Sequence, residues 1–272
     1  MKIDSLLWVT DIHLNFLDQN ERQTFYQSLV EKSFGALLIS GDIGEAPSVN
    51  LYLKEMANFL NRPIFFVLGN HDYYRGSVVD VRESMSHLTK IHENLHWLGN
   101  GEAVRLNAHT ALVGVDGWAD GRNGDFMGSP VLINDSRLIA DLFHAKLLSK
   151  SNLLRKMQEL ADKDVANLRK ALSDAITPET KHIIITTHVP PFPECCWFEG
   201  EPSDNDWLPY YSSKATGDLL AEFAQKHPEI KFSAFCGHTH TRHTHPPFAN
   251  LTVKVGQATY GSPEIQEIVS LV

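Results

Sequence analysis

The 272-residue sequence has only three cysteines, Cys195, Cys196 and Cys236. They are too few for a disulfide framework in a chain of this size, and disulfide geometry disfavours a strain-free bridge between the neighbours Cys195 and Cys196. A reducing compartment fits. No stretch approaches the roughly 20 consecutive apolar residues that a membrane helix needs, and the amino terminus lacks a basic segment followed by an apolar one. Positive charge is also short: 24 Lys and Arg stand against 33 Asp and Glu, a formal charge of −9. Such a balance argues against a broad basic face gripping a nucleic-acid polymer. A small phosphorylated substrate stays compatible, because bound metal ions reverse the sign of the field locally. The sequence also has no internal repeat, no low-complexity tract and no clear linker, so one domain over residues 1–272 is expected.

What the sequence has is histidine, 14 residues of it, and 43% hydrophobic residues. The second figure is enough to bury a sizeable core. The first makes position the question, since neutral imidazole is the commonest metal ligand.

Short apolar runs of strand length alternate with helix-like stretches, the pattern of β-α units and a mainly parallel sheet. Leu6–Thr10, Ala36–Ser40, Ile64–Leu68, Ala111–Val115, Ile183–Thr187 and Phe232–Cys236 read as buried strands, and Thr252–Val255 and Ile265–Val272 as later ones that can complete a second sheet layer. Glu21–Lys32, Ser48–Leu60 and Ser77–Leu88 have the apolar spacing of crossover helices. Leucines recurring at helical intervals predict one or two helices in an insertion at about 135–174, covering a sheet face or capping the crevice. Pro190–Tyr211 is aperiodic and rich in Pro and aromatic residues, which predicts a long loop of the kind that carries specificity. The remaining cysteines and histidines have plain readings. Cys195 and Cys196 are expected to line a pocket, Cys236 to be a buried small hydrophobe, and His243 and His245 to sit on a solvent-facing turn beside Pro246 and Pro247.

Five of the strand-like runs end in residues able to ligate a divalent ion: Asp11-Ile12-His13, Gly41-Asp42, Gly69-Asn70-His71-Asp72, His188 and Gly237-His238-Thr239-His240. Loops at the carboxyl ends of parallel strands converge on one edge, so residues far apart in sequence become neighbours there. The first run leads straight into Asp11 and His13, so removal of a leader would destroy the site. The chain is therefore expected to be mature and cytoplasmic.

This set, in this order, resembles the calcineurin-like metallophosphoesterase superfamily. The resemblance implies an α/β fold: a four-layer α/β/β/α sandwich of two mixed sheets flanked by helices. It implies two divalent metal ions, with Asp11, His13 and His240 on one, Asn70, His188 and His238 on the other, and Asp42 bridging. Nitrogen and oxygen donors without thiolate suit Mn or Fe, with Zn as rival, better than Mg or Ca. The implied reaction is attack of a metal-bridging hydroxide on a phosphomonoester or phosphodiester, with His71 assisting the leaving group and Asp72 orienting its ring. The chain departs from some branches. Ile43-Gly44-Glu45 lacks the Tyr of iron-tyrosinate phosphatases and the Asp-Arg-Gly of phosphoprotein phosphatases, and His71 stands where lipid A precursor hydrolases have Arg. A cyclic-nucleotide phosphodiesterase-like branch fits. The alternative, a catalytically inactive protein-binding scaffold on the same fold, would not need the filled ligand positions and His71. For the substrate itself, Tyr73, Arg75, Trp118 and Arg122 follow strand ends and are expected to line the crevice, as is Asp116.

Overall fold

A computed structural model describes residues 3–271. Thirteen strands are found among them: β1 (Ser5–Val9), β2 (Ala36–Ser40), β3 (Ile64–Val67), β4 (Leu95–Trp97), β5 (Val104–Arg105), β6 (Thr110–Gly114), β7 (His182–Thr186), β8 (Trp197–Phe198), β9 (Glu201–Pro202), β10 (Lys231–Cys236), β11 (His243–Phe248), β12 (Leu251–Val255) and β13 (Ile265–Ser270). The helices are α1 (Gln19–Val30), α2 (Val49–Leu60), α3 (Val78–Ile91), α4 (Asp135–Leu138), α5 (Ala140–Leu148), α6 (Lys150–Ala175), α7 (Leu208–Tyr211) and α8 (Lys214–Lys226). One sheet has the order β13-β1-β2-β3-β4 and a second β11-β12-β10-β7-β6-β5. Each is parallel in its interior; β13 runs antiparallel to β1 at one edge of the first, and β11 and β5 run antiparallel to β12 and β6 at the two edges of the second. The expected second layer thus exists, but its two late strands divide: β12 joins one sheet and β13 the other.

Strand alternation explains why two sheets stack. Leu7, Val9, Leu37, Ile39, Ile64 and Phe66 point outward into a core shared with α1, α2 and α3. Their neighbours Leu6, Trp8, Ala36, Leu38, Phe65 and Val67 point the other way and meet Leu112, Ile184 and Phe235 of the second sheet. Trp8 and Phe235 touch edge-to-face across that interface, 4.9 Å between ring centroids. The second sheet's far face, with Ala111, Val113, Ile183, Ile185, Phe232 and Ala234, packs on Leu168, Ala171 and Leu172 of α6 and on Leu219, Leu220 and Phe223 of α8. Strands apolar on both faces must be covered on both, which makes four layers the natural solution.

The helical insertion resolves into α4, α5 and the 26-residue α6. The expected one or two helices are thus three; the carboxyl half of α6 covers the second sheet, and Asp135 at the start of α4 borders the crevice. No helix among the described residues is long and apolar enough to cross a membrane.

Three local expectations are corrected. His243 and His245 lie not on a turn but in β11, an edge strand whose pairing with β12 slips between His245 and Phe248. Pro246 and Pro247 fall in that slip, where their missing N–H groups cost no ladder bond. Pro190–Tyr211 is not all loop, since it holds the hairpin β8–β9 and begins α7 before its end. Cys195 is packed in the far-face core and the Cys196 thiol lies against the carbonyls of Phe192 and Tyr211, so both fill the interior and do not line the crevice. Burial pushes the Cys195 thiol up to about 12.

Candidate metal centre

Every proposed ligand leaves the carboxyl end of a central strand. Asp11 and His13 follow β1, Asp42 follows β2, Asn70 follows β3, His188 follows β7, and His238 with His240 follows β10. Because β1, β2 and β3 are neighbours in one sheet and β7 and β10 in the other, stacking the sheets puts seven side chains into one pocket. Backbone bonds tie the loops together: His13 N–H donates to Asp42 O at 3.0 Å, and Gly237 N–H to His188 O at 2.9 Å.

The chain bends sharply to aim these side chains inward. Asp11, His13, Asp42, His238 and His240 have φ of 48°, 39°, 52°, 74° and 56°, left-handed conformations that cost a non-glycine residue free energy. Five such residues concentrated in one pocket mark a site whose geometry is held by its surroundings. The flanking glycines make room for it. A Cβ at Gly69 would overlap the Asp42 carboxylate, and one at Gly237 the Asp11 carboxylate.

Asp11, His13, Asp42 and His240 each offer one ligand atom within 4.8 Å of the other three. Asp11 Oδ1 lies 3.3 Å from His240 Nε2, and His13 Nε2 lies 3.2 Å from His240 Nε2 and 3.7 Å from Asp42 Oδ2. On the other side Asn70 Oδ1 sits 3.0 Å from both His188 Nε2 and His238 Nδ1. Asp42 Oδ1 is 3.4 Å from His188 Nε2. Asp42 therefore presents one oxygen to each set.

Whether these atoms fit a cation is decided by what lies behind them. His188 Nδ1 is 2.9 Å from Ser40 O and His238 Nε2 is 2.9 Å from Tyr210 O, carbonyls that can only accept, so each ring places a proton outward. The Asn70 amide is oriented likewise: its Nδ2 donates to Asp135 Oδ1 at 2.8 Å and to Tyr74 Oη at 3.1 Å, which turns Oδ1 inward. The inward-facing atoms of a neutral set are then all acceptors, packed at hydrogen-bond distance with no hydrogen between them. Only a positive charge makes that arrangement favourable. Burial alone would lower the His188 pKa, but the Asp42 carboxylate outweighs it and holds His188 up to about 10. Burial likewise opposes ionisation of Asp42, yet His188 and His71 hold its pKa well below the usual range. His13 is neutral, pushed down to about 4 chiefly by burial, and its Nδ1 has no hydrogen-bond partner. Two ions would compensate the charges of Asp11 and Asp42, and their binding would require His188 in its neutral form.

His71 reaches the same pocket from the short helical turn after Asn70. Its ring lies 3.9 Å from Asp42 Oδ2 through Nε2 and stacks on Tyr74 at 4.2 Å between centroids. The expectation that Asp72 orients this ring is corrected. Asp72 Oδ1 accepts N–H bonds from Ile43 and Gly44, and Oδ2 accepts one from Gly69, so the carboxylate clamps the loops that follow β2 and β3. Burial, with the Asp42 charge second, pushes it up to about 8. Tyr74 holds the His71 ring instead.

The four substrate candidates are also placed elsewhere. Tyr73 is fully buried and donates from Oη to Asp116 Oδ2 at 2.6 Å. Trp118 is buried against the Tyr73 ring at 4.9 Å. Arg122 is engaged by Asp120 and Asp162 at 3.0 and 2.8 Å. Arg75 points to solvent and pairs with Glu45 at 2.8 Å. Asp116 is buried beneath the crevice, taken up by Trp97, Leu68, Tyr73 and Arg82. The crevice, about 350 Å³, is lined instead by Tyr74, Leu132, Ile133, Asn134, Asp135, Phe198, Trp207, Tyr211 and Tyr260, around Asp42, Asn70, His71, His238 and His240. Phe198, Trp207 and Tyr211 come from the segment expected to carry specificity. Asp135 and Tyr260 had no motif to announce them.

Metal-ligand residues supplied by the ends of five strands from two stacked sheets are the signature of one class, and the chain belongs to it: the sequence pattern of the calcineurin-like phosphoesterases matches residues 5–242. An uncharacterized metallophosphoesterase of Aquifex aeolicus (strain VF5) is 32% identical over 111 residues, a stretch covering 39% of this chain and 40% of that one. The chain thus spans less than half the length of this relative. Among solved structures, a dimetal phosphatase from Danio rerio superposes with a TM-score of 0.62 at 11% identity, over 100% of this chain and 93% of that one. The phosphopantetheinyl hydrolase of Mycobacterium tuberculosis gives 0.59 at 14% identity, over 93% and 89%. Both likenesses are of fold.

Proposed function

We propose that this chain hydrolyses a phosphomonoester or phosphodiester bond in a small substrate, using two divalent ions held by Asp11, His13, Asp42, Asn70, His188, His238 and His240. The observation that carries this reading is the convergence of the seven side chains on one pocket, with His188 Nε2 and His238 Nδ1 both 3.0 Å from Asn70 Oδ1 and Asp42 presenting one oxygen to His13 and the other to His188. Asp11, His13 and His240 would hold one ion, Asn70, His188 and His238 the other, and Asp42 both. Nitrogen and oxygen donors without thiolate suit manganese, iron, zinc or cobalt better than magnesium or calcium, and manganese or iron, with zinc as rival, is the pair proposed. When bound, such ions acidify a coordinated water and neutralise phosphoryl oxygens during in-line displacement.

The protein's own groups complete the chemistry. His71 stands at the crevice with its side chain 16% exposed, so its imidazole can hand a proton to the departing oxygen while Tyr74 keeps the ring in place. Its backbone N–H donates to Asp42 Oδ1 at 2.9 Å, tying the position of the acid to that of the shared carboxylate.

Protein stripped of metal is expected to lose hydrolysis of both nitrophenyl phosphate and bis-nitrophenyl phosphate, and added Mn to restore it. Full activity after stripping verified by elemental analysis would refute the mechanism. His71→Ala is expected to keep its metal and to slow esters of poorly departing alcohols by roughly 10²- to 10⁴-fold, the usual contribution of a positioned acid. An unchanged rate on such an ester would remove His71 from the reaction.

A further inference from the structure

The crevice walls carry information that the metal centre does not. Phe198, Trp207 and Tyr211 form a contiguous aromatic cluster, with Trp207 5.2 Å from Tyr211 and 6.4 Å from Phe198 and within 25° of parallel to each, while Phe198 and Tyr211 are tilted by 45°. This face abuts the metal site through Tyr211, which meets His238 edge-on at 5.6 Å. A second aromatic group stands beside the other half of the site: Tyr260 lies 4.5 Å from the His13 ring and 5.1 Å from His240. Phe198, Trp207 and Tyr260 are 43%, 37% and 48% exposed, open to the space in front of the metal-ligating atoms. Large exposed aromatic rings beside a polar centre are costly to leave wet, and they suit a flat partner.

Charge narrows the partner further. No Lys or Arg is among the described residues that line the crevice, whereas Asp135 and Asp42 are. A phosphoryl group seated at the ions is compensated by them, but a second phosphate lying outward along the walls would meet no cation from the protein and would leave its water without replacement. The crevice volume of about 350 Å³ is enough for one ring system and one phosphoryl group.

We infer that the Phe198–Trp207–Tyr211 face and Tyr260 select phosphoesters in which a planar aromatic ring is carried by a single phosphoryl group. This deepens the proposed activity and rests on it for the seat of the phosphoryl group. Two sources share that chemistry, a nucleobase in a nucleoside monophosphate ester and a simple aryl group.

The test is calorimetric binding to Mn-loaded protein of non-hydrolysed phosphonates with equal charge and similar size. Benzylphosphonate is expected to bind roughly tenfold tighter than cyclohexylmethylphosphonate, the scale of one aromatic stacking contact. Trp207→Ala should erase most of that preference, Trp207→Phe should retain it, and Tyr260→Leu, at an exposed position on a different element, should reduce it without relying on the fold of the 190–211 segment. Comparing the non-hydrolysed 5′-methylenephosphonate analogue of adenosine monophosphate with benzylphosphonate separates the sources, tighter nucleotide-analogue binding assigning the ring to a base and the reverse to an aryl group. The corresponding non-hydrolysed diphosphate analogue is expected to bind no tighter than the monophosphate analogue. Equal affinities for the benzyl and cyclohexylmethyl compounds, or a diphosphate preferred tenfold, would overturn the inference. Should the metal-loaded protein hydrolyse esters and yet fail this ranking, only the selection by the walls is lost. If the ranking holds while no ester is hydrolysed, the proposed activity is what falls.

Discussion

Replacing Asp42 by Asn is expected to reduce the two-ion content to one or less, as measured by elemental analysis after dialysis, and to lower turnover by at least about 10³-fold, the upper end of the cost of losing one electrostatic group in a water-poor site. Asn keeps the shape of Asp42 and its acceptance from the His71 N–H, so little of the effect can be assigned to misfolding. What it removes is the charge at the centre of the pocket. Asp42 is 1% exposed, presents Oδ1 to His188 at 3.4 Å and Oδ2 to His13 at 3.7 Å, and is the only one of the seven with an oxygen toward each set. Its carboxylate also sustains the raised pKa of His188, so the variant's His188 should titrate lower in metal-free protein. A variant with two ions and parental turnover would show that Asp42 is not shared between the sites.

The second large effect is expected on stability. Arg82 of α3 lies under the loop after β3 with its side chain 12% exposed and joins two buried carboxylates, Asp116 at 2.9 Å and Asp164 of α6 at 2.8 Å. Asp116 in turn accepts from Trp97, Tyr73 and the Leu68 backbone, and Asp164 from the Gly117 backbone. Arg82→Met keeps much of the volume but leaves two buried acids with no counter-charge, a change that costs roughly 3–5 kcal/mol. At about 2–4 °C per kcal/mol for a chain of this size, the melting temperature should fall by roughly 10 °C. Because Leu68 and Tyr73 flank Asn70 and His71, metal affinity should weaken as well, although Arg82 touches no proposed ligand. A melting temperature within about 2 °C of the parent would show that the network is not a keystone of the fold.

These two residues mark the boundary between what is legible in a sequence and what is not. Asp42 is legible because a carboxylate immediately after an apolar run and a glycine is a local pattern, repeated with variations at four other strand ends. Arg82 and its partners have no such pattern: α3, the loop after β6 and α6 contribute one member each, and only the closed fold makes them adjacent. The same holds for Tyr73 and Tyr74. The sequence presents two consecutive tyrosines after the catalytic loop and favours Tyr73 for the crevice, but the helical turn over His71–Tyr73 sends Tyr73 down to Asp116 and Tyr74 outward, onto His71 and Asp135.

By itself the sequence determined the α/β class and the strand ends that carry the seven converging side chains, since these depend on short patterns of apolar runs, polar residues at their carboxyl ends and glycines where side chains must crowd the backbone; the four layers followed only from the resemblance those patterns bear to the family. Tertiary structure alone decided that Asp72 braces loops, that Asp135 orients Asn70, and which aromatic residues face the crevice. The physical reason is that a ligand's identity follows from its chemistry, whereas the direction of a side chain on a loop is set by whichever buried partner claims it first, and those partners come from distant parts of the chain.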